Sequence, residues 1–380
     1  MYDLLKGVRV LDLTAVVLGP LATQYLGDFG ADVIKVEPPS GDIFRQVRPA
    51  RSDAMGAGYL NYNRNKRSVS LNLKREEDRE QFMTLLAEAD VLVHNMRPGA
   101  AKRLGLDPDT ISNAFPSLVY CVAAGYGSMG RNSEHPAYDD IIQAASGVAH
   151  LNRNQNDEPR FLPTIICDKV GGMHLAMAVL AGIAHQAKTG QGCIVEAPMF
   201  EGLVAFLMSE QLSGETFRPA KGSVGYERLL SPHRKPFPTK DGFVGVLPYN
   251  GKHWASFLNF VGRGDLAQAD WVQDSAARSE NIGKLYAIVA EKMPERTTAD
   301  WLEVLRDLDI PCTPINSLTD LLEDDHLSDV ELFREIEHPS EGKLRSIRSP
   351  FWVQGADEHP DAPAPKLAAP GEAIAWWQRK

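Results

Sequence analysis

Cysteine is scarce in this 380-residue chain: Cys121, Cys167, Cys193 and Cys312, none at CxxC or CxxH spacing. That scarcity excludes a disulfide frame and a cysteine-ligated metal site, and fits reduced thiols in a cytoplasmic protein. No run approaches the roughly eighteen uninterrupted apolar residues of a membrane span, so none is expected. The opening MYDLLKGVRVLDL lacks a basic segment followed by an apolar one, so no secretory leader is expected. Positive charge is in deficit, with 40 Lys and Arg against 50 Asp and Glu and a formal net charge of −10. This argues against a nucleic-acid binder and requires any anionic ligand to be held by a local basic cluster. The glycine fingerprint of dinucleotide sites is missing too. The first strand-to-helix turn reads TAVVLGP, with one glycine before Pro20, and offers no pyrophosphate cradle. No nicotinamide or flavin is therefore expected, and Glu37 reads as an ordinary strand-end residue. There is no GxSxG elbow for Ser/His/Asp catalysis.

What is present is alternation. VRVLDL is a short apolar strand, GPLATQYLGDFG has helical apolar spacing, and ADVIKVEPP is a second strand stopped by prolines. SVSLNLK, DVLVHN and SLVYCV continue the strands, with the amphipathic REEDREQFMTLLAEA between the first two. Such alternation predicts a parallel, doubly wound α/β sheet. From Thr164 to Leu207 the pattern is mainly helical, with one strand near GCIVEAP. SPHRKPFPTKDGFVGVLPY then turns proline-rich and leads into a smaller α+β unit, and DAPAPKLAAPG reads as an extended tail.

Two basic runs stand at strand or loop junctions. NYNRNKRSVSLNLK carries Arg64, Lys66, Arg67 and Lys74, and HNMRPGAAKRLG adds Arg97, Lys102 and Arg103. Ligands of open α/β sheets bind outside the carboxyl ends of the strands, so these runs are phosphate candidates or else a solvated face. In TIICDKVGGMHLAMAVLAGI, Asp168 precedes a long apolar helix. It is a helix cap, or a carboxylate whose nucleophilic form the helix N-terminus stabilises. Gly171 and Gly172 would leave room for a substrate and turn their N–H groups toward an oxyanion. A second acidic pair, Asp139 and Asp140 in YDDIIQAASG, begins another helix.

Together with GVRVLDLTAVVLGPLATQYLGDFGADVIKVE, KTGQGCIVEAPMFE and IPCTPINSLTDLLED, these stretches occur in the order seen in the class III CoA-transferase family (CaiB/BaiF type), which the chain resembles from residue 5 to about 355. That family includes formyl-CoA:oxalate and carnitine CoA-transferases and α-methylacyl-CoA racemase. The resemblance implies a large Rossmann-like CoA-binding domain (1–205), a linker (206–229), a small α+β domain (230–320) and a second linker returning to the large domain (321–380). It also implies an interlocked homodimer that takes acyl-CoA and a small carboxylic acid, with no metal.

By the same resemblance Asp168 is the nucleophile, supported by Asp139, and CoA is held by Leu71, Lys74, Asn95, Met96, Arg97, Arg103 and Leu104. Racemase relatives place a histidine where this chain has Tyr138. A phenol with a pKa of about 10 is a poor proton shuttle near neutrality, which favours transferase over racemase. The chain departs from the oxalate enzyme at Pro38 and Pro136, which replace basic phosphate contacts, so the grip must come in part from Arg97 or Arg64. It departs again at Ala15 and Val17 in the first loop, where oxalate is contacted. In place of a glycine lid stands GYERLLSPHRKPF, whose Arg228 or Arg234 is expected to bind the far carboxylate of a dicarboxylic acceptor, Arg228 being preferred for its freer backbone.

Overall fold

The computed structural model describes residues 1–154, 156–368 and Trp377. The chain divides into two compact units, Met1–Leu207 with Ser328–Lys380, and Met208–Leu327.

The first unit is built on six parallel strands in the order β3-β2-β1-β4-β5-β6. They are β1 (Arg9–Leu13), β2 (Asp32–Glu37), β3 (Lys66–Ser70), β4 (Val91–His94), β5 (Val119–Val122) and β6 (Cys193–Glu196). Side chains alternate across the sheet. Val10, Val33, Val91 and Val119 face one core, and Leu11, Ile34, Leu92 and Tyr120 face the other. Helices cover both faces, which is why these strands read as nearly continuous apolar runs. On the first face lie α1 (Leu18–Asp28) and α4 (Ile166–Thr189), and on the second α2 (Glu76–Ala87). Pro20 falls in the first turn of α1, where its missing N–H costs nothing. By length and a mean hydropathy of 1.4, α4 could cross a membrane. Here its Val170, Leu175 and Val179 are buried in the core shared with Leu18 and Ala22 of α1.

Strand order reverses between β1 and β4, so their carboxyl ends open a crevice at a topological switch point. Asn95 closes its floor: its side-chain amide donates to the Ala15 carbonyl at 3.0 Å and its carbonyl accepts the Ala15 N–H at 3.3 Å. The tail is tied to the sheet edge, with the Ser70 N–H donating to the Ala368 carbonyl at 3.0 Å.

The basic run after Asn63 is mostly consumed by the fold. Arg64 donates through Nε to Asp28 at 2.9 Å, Lys66 pairs with Asp12 at 3.2 Å, and Arg67 pairs with Asp32. Burying Arg64 and Lys66 is tolerable only because each meets a carboxylate. Arg64 is therefore a structural ion, which corrects the expectation that it could grip phosphate. Glu37 is equally structural. It is buried and accepts two hydrogen bonds from Arg45, both at 2.7 Å.

In the second unit, β7 (Phe237–Pro238), β8 (Phe243–Val246) and β9 (Cys312–Pro314) form a small antiparallel sheet. It shares a core with Trp254, Phe257, Tyr286 and Trp301.

Candidate active site

The α4 helix begins on Ile166, preceded by Ile165, whose side chain has nothing to offer the unpaired N–H groups of the first turn. Asp139 supplies the missing acceptor. It opens α3 (Asp139–Ser146), is buried, and its Oδ1 accepts the N–H of Cys167 at 2.7 Å and of Asp168 at 3.1 Å. Asp139 thus caps a helix that starts far away in sequence. Asp168 is not the cap. It lies in the first turn, and no hydrogen bond from the described residues reaches its carboxylate.

Burial raises the Asp168 pKa to about 7, and the nearby charge of Asp139 adds to that rise. A carboxylate of this basicity is a better nucleophile than an ordinary one, and a substantial fraction remains ionised near neutrality. Tyr62, at the end of the short helix Ala57–Tyr62, feels the same charge: burial first, then Asp168, raises its phenol. No local pattern in the sequence marks Tyr62. Cys167 is no rival nucleophile, because burial and the two aspartates push its thiol far up.

Gly171 and Gly172 need correcting. Both are buried within the body of α4, where N–H groups belong to the helical ladder and not to a substrate. Their task is close packing. A Cβ on Gly171 would stand 2.6 Å from the Leu18 side chain, and one on Gly172 would stand 2.7 Å from the Leu18 carbonyl oxygen.

The proposed CoA residues fall mostly around two cavities of the first unit. One, of about 260 Å³, brings together Leu71, Lys74, Met96, Leu104 and Pro38. The other, of about 200 Å³, is lined by Val16, Asn95, Met96, Arg97, His135 and Tyr138. Met96 serves both. Arg103 lines neither and lies exposed in the last turn of the helix Pro98–Arg103. Tyr138 is 68% exposed at the rim.

The first loop also differs from expectation. Val17 is 1% exposed, buried as the residue before α1, and so does not meet a substrate. Its neighbour Val16 lines the second cavity with φ 74°, an unfavourable conformation for a β-branched residue. The Asp42 carboxylate holds it there by accepting the Val16 N–H at 3.1 Å. Ala15 is fixed through its backbone to Asn95.

Arg228 and Arg234 belong to the second unit. Arg228 donates to the Tyr286 hydroxyl at 3.2 Å and lies 4.7 Å from the Tyr249 ring centroid. Arg234 is exposed and lines a cavity of about 530 Å³ with Lys235, Phe237 and Cys312. Tyr286, which Arg228 contacts, lines that same cavity, so both arginines stand beside it.

Known proteins resemble the chain over nearly its full length. The model of CoA-transferase family III matches residues 5–370. The succinyl-CoA:glutarate CoA-transferase of Homo sapiens is 31% identical over 348 residues, covering 90% of this chain and 78% of that protein. The succinyl-CoA:mesaconate CoA-transferase of Haloarcula marismortui is 33% identical over 381 residues, covering 96% and 93% respectively. The crystal structure of a hypothetical protein from Mycobacterium tuberculosis superposes with a TM-score of 0.83 at 28% identity, covering 98% of both chains.

Proposed function

This chain belongs to CoA-transferase family III, and from that premise we propose that it moves CoA from succinyl-CoA to a free dicarboxylic acid through a thioester on Asp168. Enzymes of this family act on acyl-CoA and carboxylates, and the human and haloarchaeal relatives are named for succinyl-CoA paired with a dicarboxylate.

The Asp168 carboxylate attacks the donor thioester carbonyl, forming a mixed anhydride and expelling CoA thiolate. The thiolate attacks the aspartyl carbonyl, releasing the donor acid and leaving aspartyl-CoA. The acceptor carboxylate attacks this thioester, forming a second anhydride and expelling the thiolate again. Attack of the thiolate on the acceptor carbonyl yields the new acyl-CoA and restores Asp168. Every intermediate is an activated acyl group close in energy to a thioester, so one hard exchange becomes several easier ones.

The observation that carries this reading is the division of labour at the start of α4. Asp139 takes the capping duty, and the Asp168 carboxylate is left without hydrogen bonds from the described residues. Lys74 and Arg97 are the cations proposed for the phosphates, with Met96 and Leu104 flanking the adenine. Arg234 is proposed for the distal carboxylate of the acceptor. We also propose a homodimer, supported by the exposed apolar side chains Met173, Met177 and Phe206.

The test is direct. Incubation with succinyl-CoA should leave CoA on the peptide containing Asp168, and hydroxylamine should remove it. Asp168→Asn should lose turnover by about four orders of magnitude. A folded Asp168→Asn that keeps its activity would refute the nucleophile assignment.

A further inference from the structure

Gln143, one turn after Asp139 on α3, is 1% exposed and uses both ends of its amide. Its NH₂ donates to Asp139 Oδ2 at 2.6 Å, with the Thr164 carbonyl a second acceptor at 3.3 Å. Its carbonyl accepts the Leu162 N–H at 2.8 Å. The two contacts fix the amide orientation, since the carboxylate needs a donor and Leu162 needs an acceptor. Residues 162–164 are the segment that leads into α4. One side chain therefore holds both the carboxylate that caps α4 and the chain that enters it.

We infer that Gln143 is the positioning residue of this site: by gripping Asp139 and the Leu162–Thr164 segment together, it sets where the carboxylate of Asp168 stands. Asp139 has one oxygen committed to α4 and the other to Gln143, so its charge stays at a fixed distance from Asp168. Besides Asp139 on α3, Tyr62 from the Ala57–Tyr62 helix and Cys167 on α4 itself feel the charge of Asp168. Lys169 follows Asp168 in the chain but turns its ammonium to the Thr164 hydroxyl at 2.8 Å. This inference rests on Asp168 being the nucleophile.

The experiment measures single-turnover loading of CoA onto the Asp168 peptide from succinyl-CoA across pH, in wild type, Gln143→Met and Gln143→Glu. Gln143→Met removes the grip at nearly constant volume. It should slow loading at the pH plateau by about tenfold or more, the scale of a misplaced reacting group, with the donor KM unchanged. Its pH midpoint should move down as Asp139 relaxes away. Gln143→Glu keeps an acceptor for Leu162 and, by sharing one proton with Asp139 across the same contact, keeps the grip, so its midpoint should stay near that of wild type. A purely structural role would lower the folded fraction and the melting temperature and leave the midpoint where it was. An unmoved midpoint in folded Gln143→Met overturns the inference, whether or not the rate falls. Should Gln143→Met not fold, Gln143→Asn, whose shorter side chain cannot reach Asp139 and Leu162 at once, is read in its place against the same expected fall. Asp168→Asn, run in parallel, tells the two failures apart: if it still loads, the nucleophile reading falls, and if it does not, only Gln143 is reassigned.

Discussion

The backbone N–H of Asp168 donates to the side chain of Asp139 at 3.1 Å, across 29 residues of sequence. The bond brings a second carboxylate to the first turn of α4. It satisfies a helix end and at the same time sets a negative charge near the proposed nucleophile.

The raised pKa of Asp168 has two consequences. Loading requires the ionised carboxylate, so its rate should climb with pH through a midpoint near about 7. Stability should run the other way. A group whose folded pKa lies above its unfolded value of 3.8 contributes stability fully below that lower value, and the contribution is lost as pH rises through about 7. Asp168→Asn should therefore melt higher than wild type at pH of about 8, with the gain shrinking as pH falls toward about 5. Melting curves at both pH values check this, and a variant that gains nothing at the higher pH refutes it.

Gly172→Ala should destabilise the fold by about 1–3 kcal/mol, because the new methyl meets backbone that cannot step aside. Gly171→Ala should cost less, since the Leu18 side-chain end can turn away. Urea unfolding gives both values. The folded fraction of each variant should still load Asp168. A stable Gly172→Ala that fails to load would return the glycine to a catalytic role.

Lys74→Ala should raise the donor KM by the equivalent of roughly 1.5–3 kcal/mol, the worth of a charged hydrogen bond, and less at high salt. Arg103→Ala should do distinctly less, because Arg103 lines neither cavity beside Met96. Initial rates at two ionic strengths decide between them. Equal effects would mean that CoA phosphates extend toward the end of the Pro98–Arg103 helix.

Arg234→Leu should raise the KM for dicarboxylic acceptors and shift preference toward monocarboxylates, with loading from the donor intact. Arg228→Leu should change that preference little, since its guanidinium is occupied by Tyr286 and Tyr249. Competition between mono- and dicarboxylic acids, followed by product mass, reads both. Wild-type discrimination in Arg234→Leu would place the acceptor contact elsewhere.

The six-stranded parallel sheet was legible because its signals are local. VRVLDL, ADVIKVE and DVLVHN are apolar runs bounded by helical spacing, and period and propensity act within about ten residues. Asp139 and Asp168 also stood out, each at the head of a helix whose pattern the sequence displays.

Partner choice was not legible. Arg64 and Lys66 looked like a phosphate grip until packing delivered Asp28 and Asp12 from 36 and 54 residues away. Gly171 and Gly172 looked catalytic until α1 closed on them, and Val17 stood at a substrate position by resemblance until the fold buried it before α1. The cap of α4 came from another helix altogether. By itself the sequence determined which segments are strands and helices and which residue types stand at their ends. Only the tertiary structure decided which charges neutralise one another, because pairing depends on distances that chain folding creates and local pattern does not contain.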